Sequence, residues 1–220
     1  MADFYNSKAV ENGYTSINTE GSNYNALAYG LLLVNKNNRY GIVDLDFKEK
    51  VGTKYNSIKF NESSKVFIVS SGNRYGIIDE EGNIKVNLIY DEISVINYAP
   101  LLYKVKNDNK YGIMNAEGKI ITNTFYDGIG YEADPTNAIE HTTVVIPTLS
   151  EEVQQSIVVK SDSGYGLIDA QTGKQIIECN LEKIYSILED GEVMYEGVFK
   201  GQRVDLLQYI KAVNTVVVNM

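Results

Sequence analysis

The stretch that decides the fold is NRYGIIDEEGNIKV, residues 73–86, because the chain carries further copies of it. These read NKYGIMNAEGKII at 109–121 and GYGLIDAQTGKQII at 164–177, and a shorter one, YGIVD, begins at Tyr40. A second motif tracks the first, as YNSI at 55, YDEI at 90, YDGI at 126 and LEKI at 181. Two motifs in nearly constant phase indicate tandem repeats of about 36 residues.

Weaker copies extend the pattern towards both ends of the chain. YTSINTEG at 14–21, followed by YNAL at 24, resembles a degraded first repeat. KGQRVDLLQ at 200–208 has the spacing of a further repeat but few of its residues. We therefore expect five repeats and a sixth.

Each Tyr-Gly pair stands between two short apolar runs, and a polar break such as NKNN, SSGN or SDSG precedes it. Apolar, β-branched runs around such a break predict a β-hairpin. A second break, as in DEEGN, places Asp early and Gly late, which is typical of a type I turn ending in a left-handed glycine. The sequence thus predicts an all-β chain of antiparallel meanders, each with three or four strands.

The Tyr-Gly pair itself predicts a packing role. A tyrosine ring can cover a neighbouring strand pair, and a glycine lets another backbone approach closely. We expect these tyrosines to be mostly buried at contacts between repeats.

The repeats resemble the bacterial WG-repeat family, whose units carry a Lys-Trp-Gly-aromatic-Ile-Asp core and a downstream Tyr-Asp-x-Ile. KYGIMNAEGKI at 110–120 and YDGI at 126–129 carry the resemblance most clearly, with tyrosine in place of tryptophan. The resemblance spans about residues 8–185 and implies repeat scaffolding rather than a shared chemistry.

Repeats of this size must stack on their neighbours to bury an apolar face. We expect one domain over residues 1–220 that forms a β-propeller-like ring, with an open β-hairpin solenoid as the alternative. Ring closure predicts that a strand near Ala9 and Val10 pairs with the apolar TVVV at 215–218.

An insertion at about 130–155 interrupts the rhythm between Tyr126 and Tyr165. Insertions in repeat folds often form the binding face, although a tolerated surface excursion is the alternative. Thr148 or Ser150 could start a short helix. The candidate partner-binding residues in the insertion are Tyr131, Glu132, Asp134, His141, Glu151 and Glu152.

Composition limits the function classes. A formal net charge of -9 and the lack of a Lys/Arg-rich run disfavour nucleic-acid binding. One Cys and one His cannot build a zinc site, and His141 lacks a catalytic motif around it. We expect no cofactor, no enzymatic activity and no membrane span, and without a basic, apolar leader we expect a cytoplasmic protein.

Three hypotheses for function remain. The first is a scaffold that binds a protein partner through one face of the repeats. The second is a carbohydrate-binding module, for which Tyr24, Tyr55, Tyr90 and Tyr126 would have to be exposed for stacking on sugars. The third is an acidic mimic of nucleic acid that blocks a basic partner.

Overall fold

The computed structural model describes residues 2–151 and 153–218, and these divide into two compact units. The first unit comprises residues 1–108 and 116–119, and the second comprises residues 109–115 and 120–220. The strands form five antiparallel sheets in chain order. The predicted tandem β-meanders are therefore confirmed.

The first unit contains two complete sheets and the first hairpin of a third. Its helical segments are α1 (Ala2–Glu11) and a 3₁₀ helix (Gly21–Tyr29). The first sheet has the strands β1 (Ser16–Ile17), β2 (Leu31–Lys36), β3 (Arg39–Asp44) and β4 (Glu49–Tyr55). The second has β5 (Ser57–Asn61), β6 (Val66–Ser71), β7 (Arg74–Ile78) and β8 (Ile84–Tyr90). The hairpin consists of β9 (Glu92–Tyr98) and β10 (Leu101–Asn107).

The second unit begins with the hairpin β11 (Lys110–Asn115) and β12 (Ile120–Tyr126). The fourth sheet has the strands β13 (Gly128–Ile129), β14 (Val145–Ile146), β15 (Ser156–Ser161), β16 (Gly164–Asp169) and β17 (Gln175–Leu181). The fifth has only β18 (Lys183–Glu189), β19 (Glu192–Phe199) and β20 (Gln202–Asp205), and α2 (Leu206–Val218) follows it.

The polar breaks form tight turns between paired strands, as the sequence predicts. Asn37 and Asn38 both have positive φ, at 52° and 59°, between β2 and β3. Two such residues make the type I′ turn whose twist matches a hairpin, and asparagine tolerates this conformation. Asp190 and Gly191 do the same between β18 and β19, with φ of 50° and 85°.

Each Tyr-Gly strand is the third strand of its sheet, and its glycine faces a bulge in the fourth. Tyr40 pairs with Tyr55 and Ile42 with Val51, so two residues of β3 oppose four of β4. A Cβ on Gly41 would lie 2.4 Å from the Val51 carbonyl oxygen, so any other residue would force the backbone of β4 to shift. The same relationship recurs at Gly76, Gly112 and Gly166.

This finding revises the predicted role of the Tyr-Gly pair. All four tyrosines, Tyr40, Tyr75, Tyr111 and Tyr165, are half-buried, and each pairs with the first residue of the second motif within its own sheet. The glycine admits a bulged strand of the same sheet. The pair therefore marks a contact within one sheet rather than a contact between sheets.

A different glycine makes the contact between repeats. A Cβ on Gly82, in the turn after β7, would lie 3.1 Å from the side chain of Val51 in the preceding sheet. Gly173 approaches Ile121 in the same way in the second unit. The sequence predicts that the Tyr-Gly glycine allows close approach between repeats. In the structure, the glycine of the following turn makes that contact.

The first repeat is phased differently from the prediction. Ser16 and Ile17 form the first strand of the first sheet, the position that Ser57 and Ile58 occupy in the second sheet. YTSI at 14–17 is therefore the first copy of the second motif. YNAL at 24 belongs to the inserted 3₁₀ helix.

The predicted weak last copy lies where a Tyr-Gly strand belongs, since β20 is the third strand of the fifth sheet. The registers of β15–β16 and β19–β20 align Tyr165 with Arg203 and Gly166 with Val204. The side chain of Val204 would occupy the space that a bulged fourth strand fills beside the glycine in the other sheets. The chain turns into α2 instead.

The predicted ring-closing strand pair is wrong. Ala9 and Val10 lie in α1, and the TVVV segment at 215–218 belongs to α2. Neither segment can add a strand to a sheet in this conformation, because helical residues satisfy their backbone hydrogen bonds within the helix. Ala9 is buried, so α1 packs against the first unit instead.

The insertion at about 130–155 is packed rather than a simple surface loop. Tyr131, Ile146 and Val153 belong to the apolar core of the second unit, and β14 pairs with β15. The predicted helix start is a turn, in which the Ser150 hydroxyl accepts a hydrogen bond from the Val153 N–H. Deleting the insertion would therefore remove part of the core.

Candidate interaction surface in the second unit

An ion pair with a buried carboxylate attaches the insertion to the fifth sheet. Glu140 is 4% exposed, and both of its carboxylate oxygens accept hydrogen bonds from the Lys183 ammonium, at 3.0 and 2.9 Å. The Tyr131 hydroxyl donates to the same carboxylate at 2.7 Å. One carboxylate therefore links two parts of the inserted segment, at Tyr131 and at Glu140, to β18.

The charges of this cluster are mutually stabilised. Burial alone raises the pKa of Glu140, but the hydrogen bonds from Tyr131 and Lys183, together with the Lys183 charge, outweigh it and lower the pKa. The hydrogen bond to Glu140 in turn raises the pKa of Lys183. Both groups are ionised near neutral pH, as an ion pair requires.

A second polar pair joins β18 to the neighbouring strand β19, between Tyr185 and Glu196. Burial, followed by the hydrogen bond to Glu196, raises the pKa of Tyr185 to about 12. Its hydroxyl donates to the Glu196 carboxylate at 3.0 Å, and the Arg203 guanidinium lies 5.6 Å from the centre of its ring. These contacts fix the strands of the fifth sheet rather than exposing a reactive group.

The predicted partner-binding residues separate into buried and exposed sets. Tyr131 is buried, so a partner cannot contact its ring directly. Glu132, Asp134, His141 and Glu151 are exposed, and the Asp134 carboxylate accepts hydrogen bonds from the Thr136 N–H and hydroxyl. Glu152 lies outside the described residues.

His141 connects the insertion to the tip of the fifth sheet. The backbone N–H of His141 donates a hydrogen bond to the backbone carbonyl of Ser186 at 3.0 Å, in an isolated antiparallel bridge. Ile139 lies two residues before His141, and Leu188 lies two residues after Ser186. Because the two segments run antiparallel, both residues lie on the same side of this bridge along the strands. Ile139 is 56% exposed.

The β18–β19 hairpin ends in an exposed apolar pair. Leu188 and Val193 are direct cross-strand partners, and they are 62% and 57% exposed. Met194, the cross-strand partner of Ile187, is also exposed but lies on the opposite face of the hairpin, because successive side chains of a strand alternate between faces. Aliphatic side chains this exposed, next to Ile139, are typical of a surface that another molecule covers. We call Ile139, Leu188 and Val193 the apolar patch.

Three carboxylates surround the end of the same hairpin. Glu189 and Glu192 are direct cross-strand partners, and Asp190 lies in the turn between them. Like charges placed opposite each other destabilise a strand pair. Among the residues that the structure describes, none of the three takes part in an ion pair. We call them the acidic rim.

Sequence reasoning missed the apolar patch and the acidic rim, although ILEDGEVM at 187–194 carries a signal for them. An alternating pattern would bury one face of a hairpin, whereas here two adjacent apolar residues stand on each side of an acidic turn, Ile187-Leu188 before it and Val193-Met194 after it, so one apolar residue of each pair faces away from the core. The pairing of Glu140 with Lys183 left no such signal, because 43 residues separate them.

Comparison with known proteins agrees with this repeat geometry. A family described as WG containing repeat matches residues 75–111 and 165–194. These two stretches of the chain are therefore repeats of the WG type. Both matches begin at the tyrosine of a Tyr-Gly pair, so the WG repeat of this chain starts on the third strand of a sheet. The sequence matches no curated protein.

Two solved structures are similar at low levels. Hsv2 of Kluyveromyces lactis is 11% identical with a TM-score of 0.32, over 78% of this chain and 72% of that chain. A second structure of Kluyveromyces lactis Hsv2p gives 12% and 0.31 over the same shares. These scores are too low to extend the WG-repeat assignment to a common overall fold.

The structure adds two findings on metals and membranes. In residues 2–151 and 153–218, no group of three or more His, Cys, Asp or Glu side chains is placed to hold a metal ion. Within the same ranges, no helix has the length and apolar character needed to span a membrane.

Proposed function

We propose that this WG-repeat chain is a scaffold that binds a protein partner through the apolar patch and the acidic rim of the second unit. The observation that carries the proposal is the pair Leu188 and Val193, which the fold holds in register yet leaves exposed. A partner that covers them gains about 25 cal/mol for each Å² of apolar surface removed from water.

The acidic rim defines the partner's chemistry. Glu189 and Glu192 repel each other across the strand pair, and a cation placed between them relieves that repulsion. The partner segment is therefore amphipathic, with aliphatic side chains at its centre and Lys or Arg at its edges. Charge complementarity of this kind speeds association and selects against acidic partners.

The Glu140–Lys183 ion pair supports this role by holding the insertion against the fifth sheet. Ile139 adjoins Glu140 in the chain, so fixing that carboxylate also fixes the edge of the apolar patch. A surface held in place before binding loses less conformational entropy when the partner arrives.

The test uses the full chain and two synthetic peptides of equal length, one with leucines flanked by lysines and one with leucines flanked by glutamates. We expect saturable binding of the basic peptide, weakening as salt rises, and at least about tenfold weaker binding of the acidic one. Equal binding of both peptides, or no binding of the basic one, would overturn the proposal.

Variants locate the surface. Leu188→Ser with Val193→Ser should abolish binding of the basic peptide. Ile84→Ser with Ile89→Ser is the matched control, since these residues of the first unit are 58% and 56% exposed. If the control loses as much affinity as the hairpin variant, the binding is general hydrophobic adhesion and the proposed surface is wrong.

A further inference from the structure

The first unit contains a cleft of about 680 Å³ that the proposed function does not use. One wall is β5, whose alternate residues Ser57, Lys59 and Asn61 share a face, and the other includes Ile93, Ser94 and Val95 of β9. Sites for small molecules in proteins fall in the range of roughly 300–1,000 Å³. The cleft is large enough for a small ligand.

A peptide strand cannot use the outer edge of β5 in this cleft. The Asn23 side chain accepts from the Phe60 N–H at 2.8 Å and donates to the Ile58 carbonyl at 3.2 Å. The Ser22 hydroxyl donates to the Phe60 carbonyl at 2.7 Å. These side chains occupy the backbone groups that strand addition requires.

The polar groups in the cleft divide into satisfied and free ones. The Asn61 amide is bonded to the Tyr103 hydroxyl at 3.2 Å, so it forms part of the rigid floor. The Lys59 ammonium and the hydroxyls of Tyr75, Ser63 and Ser94 have no hydrogen-bond partner within the described part of the chain. A ligand can therefore meet one exposed positive charge and three hydroxyl groups.

Apolar side chains complete the lining. Ile68 and Ile93 are buried where they line the cleft. Ile68 pairs with Lys59, and strand alternation places the half-buried ring of Tyr75 on the same face of the sheet as both. Such surfaces suit the C–H faces of a sugar ring, while hydroxyls bind its polar edge. The one other charged lining residue, Glu62, is bonded to Asn25 and Tyr29.

We propose that this cleft binds a small polyhydroxylated monoanion, a sugar acid, with its carboxylate on Lys59 and its hydroxyls on Tyr75, Ser63 and Ser94. A single ammonium suits one carboxylate, whereas a di- or triphosphate needs several cations or a backbone nest. The proposed site lies within the first unit and does not depend on the protein-binding surface of the second.

The experiment is an NMR titration of the full chain with three probes: sodium D-glucuronate, D-glucose and sodium acetate, each to about 50 mM, since small polar ligands bind in the millimolar range. We expect glucuronate to shift the amide resonances of Ser57, Lys59, Tyr75 and Ser94 saturably. Glucose and acetate should bind at least about tenfold more weakly, because each offers only part of the ligand.

Three variants make the test specific. Lys59→Gln should weaken glucuronate binding by about tenfold or more and leave glucose unchanged, because it removes only the charge. Tyr75→Phe should weaken it by a smaller factor. Lys48→Gln, an exposed lysine of the same unit outside the cleft, should have no effect. Absence of saturable shifts with glucuronate, or equal affinity in Lys59→Gln and the wild type, would overturn the proposal.

Discussion

Tyr75 and Tyr90 are direct cross-strand partners, although they begin different motifs of the sequence. The residues beside them complete the relationship, because Arg74 forms an ion pair with Asp91 at 2.7 Å. Lys110 and Asp127 repeat this ion pair in the second unit beside Tyr111 and Tyr126. The constant spacing of the two motifs is thus the register of a strand pair.

Replacing Tyr75 with Ala should lower the free energy of unfolding by about 1–3 kcal/mol, since the ring is half-buried and loses a cross-strand aromatic neighbour. The matched control is Tyr24→Ala, at an exposed position of the 3₁₀ helix, which should cost under about 0.5 kcal/mol. Urea melts of both variants measure the difference. Equal losses would show that the Tyr75–Tyr90 pair does not stabilise the repeat.

Asp79 closes the turn after the Tyr-Gly strand. Its carboxylate accepts hydrogen bonds from the N–H groups of Glu81 and Asn83, at 3.1 and 2.8 Å. Although burial raises its pKa, the bonds from Asn83 and Lys85 outweigh burial and lower it. Asp79→Ala should therefore cost about 1–2 kcal/mol in urea melts.

Two further variants isolate the hydrogen bonds of that turn. Asp79→Asn retains one acceptor oxygen, as the equivalent Asn115 does in the third repeat, and should cost less than Asp79→Ala. Glu80→Ala, at an exposed neighbouring position, should cost almost nothing. Because the folded pKa of Asp79 is lowered, the stability it contributes is present above its unfolded pKa and lost as the pH falls through the folded one. Asp79→Asn should remove that part of the acid dependence.

The repeats, hairpins and turns could be predicted from the sequence because they follow from residues close together in the chain. The bulge opposite Gly41 could not, since it depends on how four residues of β4 fit against two of β3. The first repeat was misassigned because YTSI and YNAL both fit the second motif, and only strand pairing distinguishes them.

The candidate surface was predictable only in part. The insertion was evident as a break in spacing, but its packing depends on contacts such as Glu140 with Lys183 that leave no periodic signal. The helices at both ends were missed for a similar reason. Short β-branched runs such as TVVV favour strands by propensity, and the surrounding structure decides otherwise.

Lys183→Met should leave the buried Glu140 carboxylate without its cation. At pH 7 we expect a loss of about 2 kcal/mol, less than for a fully buried pair because Lys183 is partly exposed. Loss of the ammonium raises the pKa of Glu140 relative to the wild type, so the penalty should shrink as the pH falls and the carboxylate takes up a proton.

Urea melts at pH 7 and about pH 4, near the ordinary pKa of a glutamate, measure this difference for Lys183→Met. Lys8→Met, which removes an exposed ion pair with Glu11, is the control and should cost under about 0.5 kcal/mol at either pH. A Lys183→Met penalty that is the same at both pH values would show that Glu140 is not the group left unpaired.

Gly41 and Gly52 provide a matched pair for the role of the Tyr-Gly glycine. They lie in adjacent strands of the first sheet, and neither has positive φ, so replacement by Ala introduces no backbone strain at either position. A Cβ on Gly41 meets the Val51 carbonyl oxygen at 2.4 Å, whereas on Gly52 it meets only the Glu49 side chain at 3.4 Å. Gly41→Ala should therefore cost about 2–3 kcal/mol, and Gly52→Ala under about 0.5.

The two glycine variants also separate two explanations of the motif. If Gly41 serves to admit the bulge of β4, hydrogen exchange in Gly41→Ala should accelerate in β3 and β4, while β5 to β8 remain protected. If it serves a contact between repeats, protection should fall in the second sheet as well. The distances place the Cβ clash wholly within the first sheet, so we expect the local result. Loss of protection in both sheets would show that the Tyr-Gly glycine serves the contact between repeats.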